Sequence, residues 1–583
     1  MMRFKGKVAH KFAESPLLQL RLPSWRSRLM ALLILGSFAM LIGRAFYLQV
    51  LNNDFLQEKG ESRYRRDIEI SASRGRIADR NGDVLAISTP MKSIWAVPSA
   101  TRLTAEQTSQ LALLLETDAT QLSRKLSTDK TFVFLRRQIP PPVAEQIAAL
   151  KLPGIGQNKE YRRFYPTGEM TAHMVGFTGV DDKGLEGVEL AFHGDLLGQP
   201  GSRSVIKDRR GQIVEDVGSI KPPQDGKEIR LALDSKIQYL AYSHLKQAIS
   251  DHKAKAGGVV VLDVRTGEVV ALANWPTYNP NNRESLSGSQ LRNRAVTDTF
   301  EPGSTLKPFT IALGLDSGKV RFDSIINCAP GRLTIGNRTI SDAHPHGALT
   351  VAEVIQKSSN VGSAKIAAML PSQKMWQMFD DVGFGQLPRL GFPGEVTGRV
   401  RPWKSWKPIE QATMAYGHGI SVSLIQLARA YSVFARDGDL VPLSLTRVES
   451  VMPHGTAVFT PKTAREVRAM LEMAVQPGGT APKAQIPGYR VAGKTGTAHK
   501  LDGGRYANKY VSSFVGFAPA SDPRLIVAVM IDEPSAGQHY GGAVAAPVFA
   551  SVMNSSLRTL GVAPDAPLVV AQTPKSLAAK ARL

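Results

Sequence analysis

The distribution of apolar and polar positions separates one long apolar run from many shorter periodic segments. Residues Leu29–Val50 form that run, and Arg44 is its one charged residue. At about 1.5 Å per residue a helix of this length crosses a bilayer core of about 30 Å. We therefore predict a single transmembrane anchor over 29–50.

Charge predicts the orientation of this anchor. Residues 1–28 carry seven Lys and Arg residues against one acidic residue, whereas residues 51–70 are balanced. Positive flanks stay on the cytoplasmic side, so the amino terminus is expected in the cytoplasm and the remainder in the periplasm, anchored to the inner membrane. A cleaved signal peptide is the alternative, but Gly43-Arg44-Ala45-Phe46 is not a small-x-small cleavage site.

Shorter patterns divide the rest of the chain into two modules. Asn81-Gly82 stands between two apolar runs in Arg74–Ala86, which predicts a β-hairpin. Gly218–Gly226 is rich in Pro and Gly and is predicted to be a linker. These features give a cytoplasmic tail at 1–28, a mixed module at 51–217, a linker at 218–226, a second module at 227–560 and a disordered tail at 561–583.

The second module combines strands from both its ends with a helical middle. Strands are expected at Gly258–Val264, Val269–Ala273, Val511–Phe517 and Leu525–Ile531, and helices at Val351–Leu370, Leu424–Ala435 and Ala543–Leu557. The predicted fold class is α+β, with an antiparallel sheet and a helical layer inserted between its strands.

Composition narrows the functional classes. The chain has 583 residues, a net charge of +22 and 43% hydrophobic residues. Its Lys and Arg residues are scattered, with no basic run interleaved with aromatics, so no nucleic-acid partner is expected. The single cysteine, Cys328, allows neither an intrachain disulfide nor a Cys-rich zinc site.

The first candidate chemistry is Ser304-Thr305-Leu306-Lys307, which precedes an apolar helical run. Residues three apart share a helix face, so Lys307 is expected beside the Ser304 hydroxyl, where a desolvated amine can act as its base. An isolated Ser-x-x-Lys match is weak evidence, and its neighbours in the chain decide its meaning.

Two further motifs follow in order. Ser358-Ser359-Asn360 lies in a helical stretch, and Lys494-Thr495-Gly496-Thr497 in a strand-like one. On a strand, Thr495 and Thr497 share a face and can bind a peptide carboxylate. Gly496 leaves room for a ligand backbone. Lys494 projects from the opposite face, where it is placed to hold Ser358 and Asn360. Backbone N–H groups of Ser304 and Thr497 are the predicted oxyanion donors.

Three competing motifs carry less weight. Gly488–Thr495 matches a phosphate-loop pattern, but it lacks the buried strand before and the helix after that nucleotide binding requires. His344 and His346, with Asp342, are interpreted as a loop, and Tyr416–Gly419 as a tight turn. No metal and no cofactor are predicted.

With these motifs in place, the chain resembles class B penicillin-binding proteins, most closely the division-specific FtsI type. The matching segments outside the three signatures are Arg74–Ala86, Tyr161–Phe177, Leu185–Glu189, Arg292–Lys307 and Lys357–Ala367. His418 departs from the family, in which tyrosine is frequent at this position.

The resemblance implies a pedestal (dimerisation-type) module followed by a penicillin-binding/β-lactamase-like transpeptidase domain. In it Ser304 attacks the D-Ala-D-Ala bond of a peptidoglycan stem peptide, and an amine of a neighbouring strand resolves the acyl-enzyme. The resemblance also implies acylation by β-lactams, and partnership with an FtsW-like glycan polymerase and other divisome proteins.

Several alternatives remain open at the level of sequence. The three signatures are shared by elongation-type enzymes, although Ser93–Pro98 and the short segment after the anchor favour the division type. Water as acceptor would make the chain a D-Ala-D-Ala carboxypeptidase or β-lactamase. A non-catalytic drug sensor or scaffold is disfavoured because the motif residues are intact.

Overall fold

The computed structural model describes residues 23–52, 65–207, 213–448, 453–502 and 505–567. Residues 1–22 of the predicted cytoplasmic tail and 568–583 of the predicted disordered tail lie outside these ranges. Within them the chain forms two compact units. The smaller takes its residues from 23–70 and 200–222, and the larger from 71–199 and 223–567.

The anchor segment is a helix over Ser24–Phe46 that continues as a π-helical turn at Tyr47–Leu51. Among the described residues, Ser24–Val50 is the one helix long and apolar enough to cross a membrane, with a mean hydropathy of 2.0 and no buried residue. It fits the predicted single-pass anchor and begins five residues earlier than Leu29, because Ser24–Arg28 prolong the helix on its polar side.

The smaller unit also contains a three-stranded antiparallel sheet of Arg65–Ile70, Gly201–Lys207 and Ile213–Lys221. Part of the predicted linker, Gly218–Lys221, belongs to the third strand, where Gly218 pairs with Ser204 and Ser219 with Arg203. The segment predicted to be a linker therefore begins inside a strand, which ends at Lys221, just before Pro222. The domain boundaries drawn from that linker stay predictions.

The amino-terminal part of the larger unit, called the pedestal below, is built around one long strand. Val84–Ala96 pairs with three other strands, and the predicted turn at Asn81-Gly82 joins it to the first of them. These strands are Ile77–Ala78, Val133–Ile139 and Ile155–Phe164, and Ile77–Ala78 also pairs with Ile229–Arg230. The helices are Ala105–Leu114, Ala119–Leu126, Pro141–Ala149, Ala172–Val175, Gly187–Ala191 and His193–Leu196, with 3₁₀ turns at Pro98–Ala100 and Gly168–Met170.

A buried ion triad ties the pedestal together. Glu189 accepts a hydrogen bond of 2.6 Å from Arg74 Nε and one of 2.7 Å from Arg163 Nε. The side chains of Glu189 and Arg74 are 0% exposed, and that of Arg163 is 1% exposed. Three segments that carry the family resemblance, distant in sequence, thus meet at one carboxylate.

The carboxy-terminal part of the larger unit carries the three predicted motifs, is called the catalytic part below for that prediction, and is organised on a five-stranded antiparallel sheet. Its strands are β1 (Ala256–Asp263), β2 (Val269–Trp275), β3 (Ala492–Asp502), β4 (Arg505–Ala518) and β5 (Leu525–Asp532), in the order β2-β1-β5-β4-β3. The central strands β1 and β5 are apolar on both faces and pair Val259 with Val529. The four predicted strands are confirmed, and β3 becomes an edge strand.

Helices cover both faces of this sheet. The principal ones are α1 (Ser235–Asp251), α2 (Lys307–Asp316), α3 (Val351–Lys357), α4 (Asn360–Ala368), α5 (Pro461–Val475) and α6 (Gly541–Thr559). Helices α1 and α6 pack on the face formed by Val259 and Val261. The helical layer containing α2 packs on the opposite face, against Val260 and Leu262. The α+β prediction is confirmed.

Shorter elements complete the catalytic part. The helices are Gly288–Leu291, Arg294–Thr297, Ser372–Asp381, Pro408–Met414, Leu424–Ala430 and Ser432–Ala435, with 3₁₀ turns at Gly303–Leu306, Trp403–Ser405 and Pro482–Ala484. The short strands are Ile325–Asn327, Arg332–Ile335, Arg338–Ser341, Ala348–Thr350, Asp439–Leu440 and Thr456–Ala457. Two helices predicted as continuous are each divided in two, Leu424–Ala435 at Tyr431 and Val351–Leu370 at Ser358.

Candidate active site

The predicted nucleophile lies at a helix start, as expected. Ser304 belongs to the 3₁₀ turn Gly303–Leu306, which leads directly into α2. Lys307 Nζ lies 2.5 Å from Ser304 Oγ. The Lys307 side chain is fully buried, and this burial, together with the nearby charge of Lys494, lowers its pKa well below the usual value. The lowered pKa favours the neutral form of this amine, which is held against the hydroxyl.

The second motif has a geometry that sequence periodicity did not predict. Ser358 takes a left-handed conformation (φ 61°) between α3 and α4, so the helix expected across it is broken. Ser359 caps α4 by accepting the Gly362 N–H. The break turns the side chains inward: Lys307 Nζ lies 3.2 Å from Ser358 Oγ and 2.8 Å from Asn360 Oδ1.

Asp342 holds this break in place, a role that sequence reasoning missed. Its carboxylate accepts hydrogen bonds from the Asn360 and Val361 N–H groups (2.5 and 2.9 Å) and from Ser359 Oγ (2.8 Å). A carboxylate is stabilising at a helix amino terminus because it meets unpaired N–H groups and the positive end of the helix dipole. The only signal in the sequence was an acidic residue 18 positions before Asn360.

The third motif lies on edge strand β3, alongside the nucleophile turn. Lys494 is fully buried, and desolvation lowers its pKa to about 7. Its Nζ lies 3.2 Å from Thr495 Oγ1, which in turn contacts Thr480 Oγ1 at 3.1 Å. The prediction that Lys494 holds Ser358 and Asn360 is not met by any contact among the described residues; Lys307 makes both contacts because it rises from the helix directly beneath them.

Two other predictions for β3 concern Thr497, expected to bind a peptide carboxylate, and Gly496, expected to leave room for a ligand backbone. Thr497 Oγ1 accepts a hydrogen bond from the Gly541 N–H at 3.0 Å, which ties β3 to the start of α6. A Cβ at Gly496 would lie 2.3 Å from Ser513 Oγ and 2.8 Å from Pro302 O. The space that glycine provides is therefore used by the protein itself, to bring β3 against the nucleophile turn, and the predicted room for a ligand backbone at Gly496 stays a prediction.

These motifs converge on one cleft of about 770 Å³. Five of the eight predicted site residues line it: Ser304, Ser358, Asn360, Thr495 and Thr497. Lys307 and Lys494 lie buried beneath its floor. A hydroxyl with a neutral amine, an amide and two threonine hydroxyls facing one space can bind a carboxylate-bearing peptide and transfer its acyl group.

The competing motifs take other forms. Lys494 and Thr495 of the phosphate-loop pattern lie inside β3 and do not open a helix. His344 and His346 lie in a loop lining the cleft, while Asp342 faces the start of α4 and not these rings. Tyr416–Gly419 is a tight turn in which Gly417 and Gly419 have φ of 85° and 79°.

Two family descriptions match the chain. "Penicillin-binding Protein dimerisation domain" matches residues 69–231, and "Penicillin binding protein transpeptidase domain" matches residues 257–554. The second covers the catalytic sheet from the second residue of β1 to the end of β5.

Curated relatives match along almost the whole chain. The chain is 46% identical over 549 residues to "Probable peptidoglycan D,D-transpeptidase PenA" of Neisseria gonorrhoeae, covering 93% of this chain and 94% of the relative. It is 43% identical over 551 residues to "Peptidoglycan D,D-transpeptidase FtsI" of Escherichia coli, covering 93% of each. "Probable peptidoglycan D,D-transpeptidase PbpC" of Pseudomonas aeruginosa is 42% identical over 537 residues.

Solved structures match the catalytic part. The apo transpeptidase domain of penicillin-binding protein 3 from Burkholderia pseudomallei is 49% identical, with a TM-score of 0.54, and covers 58% of this chain and 98% of its own. A structure from Burkholderia ambifaria titled as a peptidoglycan glycosyltransferase is 50% identical, with a TM-score of 0.53. With its fold, its ordered motifs and these matches, the chain belongs to the class B penicillin-binding proteins, which join a dimerisation domain to a transpeptidase domain.

Proposed function

We propose that this enzyme is a serine peptidoglycan D,D-transpeptidase that cross-links stem peptides at the division septum through an acyl-enzyme on Ser304. The observation that carries the proposal is the fully buried Lys307 amine, 2.5 Å from Ser304 Oγ and tied to Ser358 and Asn360. The names of the relatives, which describe peptidoglycan D,D-transpeptidases, support the substrate.

In the acylation step Ser304 Oγ attacks the carbonyl carbon between the two D-Ala residues. Lys307 Nζ takes the hydroxyl proton, since its lowered pKa favours the neutral form and the contact is already made. The C–N bond then breaks, and the proton passes from Lys307 through the Ser358 hydroxyl to the departing D-Ala amine, while Asn360 Oδ1 orients the Lys307 amine. The N–H groups of Ser304 and Thr497 are the proposed donors to the developing oxyanion.

Substrate binding and deacylation use the remaining motif residues. Thr495 and Thr497 hold the terminal carboxylate, with Lys494 and Thr480 orienting the Thr495 hydroxyl. An amine of a second stem peptide then attacks the Ser304 ester carbonyl, and Lys307 takes the proton that this amine loses. As the ester C–O bond breaks, Lys307 returns that proton to Ser304 Oγ. β-Lactams acylate Ser304 by the same route, because their strained amide occupies the place of the D-Ala-D-Ala bond.

The septal role and the location are part of the proposal. The helix Ser24–Val50 anchors the chain in the inner membrane with the catalytic part in the periplasm, and the basic residues before it keep the amino terminus in the cytoplasm. Partnership with an FtsW-like glycan polymerase and other divisome proteins is part of the proposal and rests on the resemblance to the FtsI type. An elongation role is the second candidate, since the PenA and PbpC relatives carry no division name.

Covalent labelling of residues 51–583 with a fluorescent penicillin tests the chemistry. The wild type is expected to form a stable adduct visible by intact mass, and Ser304→Ala none. An intact drug without any adduct on the wild type would exclude the acyl-enzyme proposal and favour a non-catalytic scaffold. Rapid release of hydrolysed drug would instead make water the acceptor, as in a carboxypeptidase or β-lactamase.

A further inference from the structure

A continuous row of aromatic and imidazole rings runs along one side of the catalytic cleft and passes through an adjoining hollow that Tyr506 lines; we call it the ring belt. Successive centroids lie 5.1, 6.1, 6.3, 4.5 and 3.9 Å apart. Its members, in order, are Tyr416, His418, Tyr506, His499, Tyr510 and His539. Aromatic rings at such spacings form attractive offset or edge-to-face pairs, so the belt is a connected surface.

The belt begins at the catalytic amine. Lys307 Nζ lies 5.7 Å from the centroid of the Tyr416 ring, within the range of an amine–ring contact. From there the belt follows β3, because His499 is two residues beyond Thr497 and shares its face, and His499 pairs with Tyr510 on β4. An elongated ligand on Ser304 would thus extend over these rings.

The electrostatic character of the belt suits a cation. The faces of tyrosine rings are negative, and aromatic cages are a common means of binding ammonium groups. Both Glu301 carboxylate oxygens lie 3.2 Å from the Tyr506 hydroxyl, and Glu301 also accepts the Gly419 N–H, so a carboxylate stands behind the belt. Burial lowers the pKa of His418 to about 4, which leaves its ring neutral.

His418 offers an acceptor as well as a ring. Its backbone N–H is used within the turn, donating to Thr413 O, but its ring makes no hydrogen bond within the described ranges. The ring lines the cleft and is only half-buried. A neutral imidazole in this setting can accept a hydrogen bond from an ammonium N–H while neighbouring rings contact its charge.

We propose that the ring belt is a binding subsite for a primary alkylammonium group of a stem peptide, with His418 as its hydrogen-bond acceptor. The inference rests on the proposed transpeptidase function and names the chemistry that its cleft selects. Two sources share this chemistry: a side-chain ammonium of the donor peptide, and the amine of the acceptor peptide before it is deprotonated for attack.

The experiment uses the full chain in detergent and has a donor arm and an acceptor arm. In the donor arm, Ser304 acylation is measured with a peptide thioester whose side chain carries a free amine, and with its N-acetylated form. In the acceptor arm, the acyl-enzyme is partitioned between water and either a primary alkylamine acceptor or an alkoxyamine of similar size, which is also a nitrogen nucleophile but is neutral at the assay pH. We expect a preference of about tenfold for the amine in one arm, matching an ammonium–ring contact.

Variants connect that preference to the belt. Tyr510→Leu removes a ring and is expected to abolish the preference, whereas His418→Phe keeps a ring without a nitrogen and should reduce it only in part. Tyr239→Leu changes a tyrosine that is 58% exposed on α1, away from the cleft, and should leave it unchanged. All variants are first labelled with fluorescent penicillin, which reports the Ser304 chemistry independently.

The outcomes separate the two proposals. Penicillin labelling with equal use of amine and neutral ligands in both arms would overturn the ring-belt inference and leave the proposed function standing. A preference that survives in Tyr510→Leu would also overturn it. Absence of penicillin labelling in the wild type would instead count against the proposed function. A preference in one arm alone identifies the donor or the acceptor as the source.

Discussion

Replacing Glu189 with Ala should destabilise the pedestal strongly, because it leaves two buried guanidinium groups without their counter-ion. Arg74 and Arg163 are 0% and 1% exposed and each donates to this carboxylate. Breaking a buried ion pair from one side costs about 3–5 kcal/mol. The lower end is expected here, since Arg74 keeps its bond to the Glu189 backbone carbonyl and Arg163 keeps its bond to Gly75 O.

A matched control lies two residues away in the chain. Arg76 and Glu228 form an equally short pair of 2.5 Å, but their side chains are 44% and 34% exposed. Glu228→Ala removes the same group from solvent-screened surroundings and should cost about 1 kcal/mol or less.

Thermal unfolding of residues 51–583, followed by fluorescence, measures the difference. A loss of about 3 kcal/mol corresponds to a fall in Tm of roughly 6–12 °C for a domain of 150–250 residues. Glu228→Ala should shift Tm by a small fraction of that. Equal shifts for the two variants would refute the argument that burial, and not the presence of an ion pair, sets the cost.

Three further predictions concern the catalytic part. Gly417→Ala should slow penicillin acylation by at least about tenfold, because its Cβ would lie 2.2 Å from Gly303 O beside the nucleophile. Gly537→Ala is the control, since Gly537 has a similar positive φ but open space around its Cβ position. This control should cost only about 1 kcal/mol of backbone strain and should be acylated at the normal rate. An unchanged acylation rate in Gly417→Ala would show that the turn can move to accommodate the added Cβ. Asn360→Ala should slow acylation about tenfold, because it removes the oxygen that accepts one hydrogen bond from Lys307 Nζ. Stopped-flow penicillin labelling measures this rate, and an unchanged rate would remove Asn360 from the mechanism. Since burial lowers the pKa of Lys494 to about 7, the unfolded chain binds more protons than the folded one between about pH 7 and 10, so the free energy of unfolding should rise with pH across this window. Lys494→Met should reduce that slope in urea titrations at several pH values, leaving the part due to Lys307, and an undiminished slope would contradict the assignment.

The sequence predicted the strands of the catalytic sheet well because their signal is local. Continuous apolar runs rich in β-branched residues, such as Val259–Leu262, favour a strand covered on both faces. Helix α6 and the Asn81-Gly82 hairpin were equally accessible from nearby residues. The Ser304–Lys307 contact was predictable too, since it spans a single helical turn.

The break at Ser358 was not predictable from periodicity, because apolar positions on both sides continue one helical phase. The positive φ of Ser358 is maintained by Asp342, which tertiary structure brings to the start of α4. The partner of Lys494 was misassigned for a related reason: strand alternation gives the direction of a side chain but not the reach of a long one. The ring belt joins residues from 416 to 539, which no local pattern connects.

The pairing of β1 with β5 has a consequence for biogenesis. Val259 can pair with Val529 only after residue 529 has been synthesised, so the central sheet cannot form until nearly the whole chain is available. Contacts this distant in sequence make folding slow. Until then β1 presents an unpaired apolar edge, the kind of surface that promotes aggregation. Ser304 therefore becomes reactive late, after the carboxy-terminal strands arrive, and a nascent or truncated chain is expected to remain insensitive to penicillin.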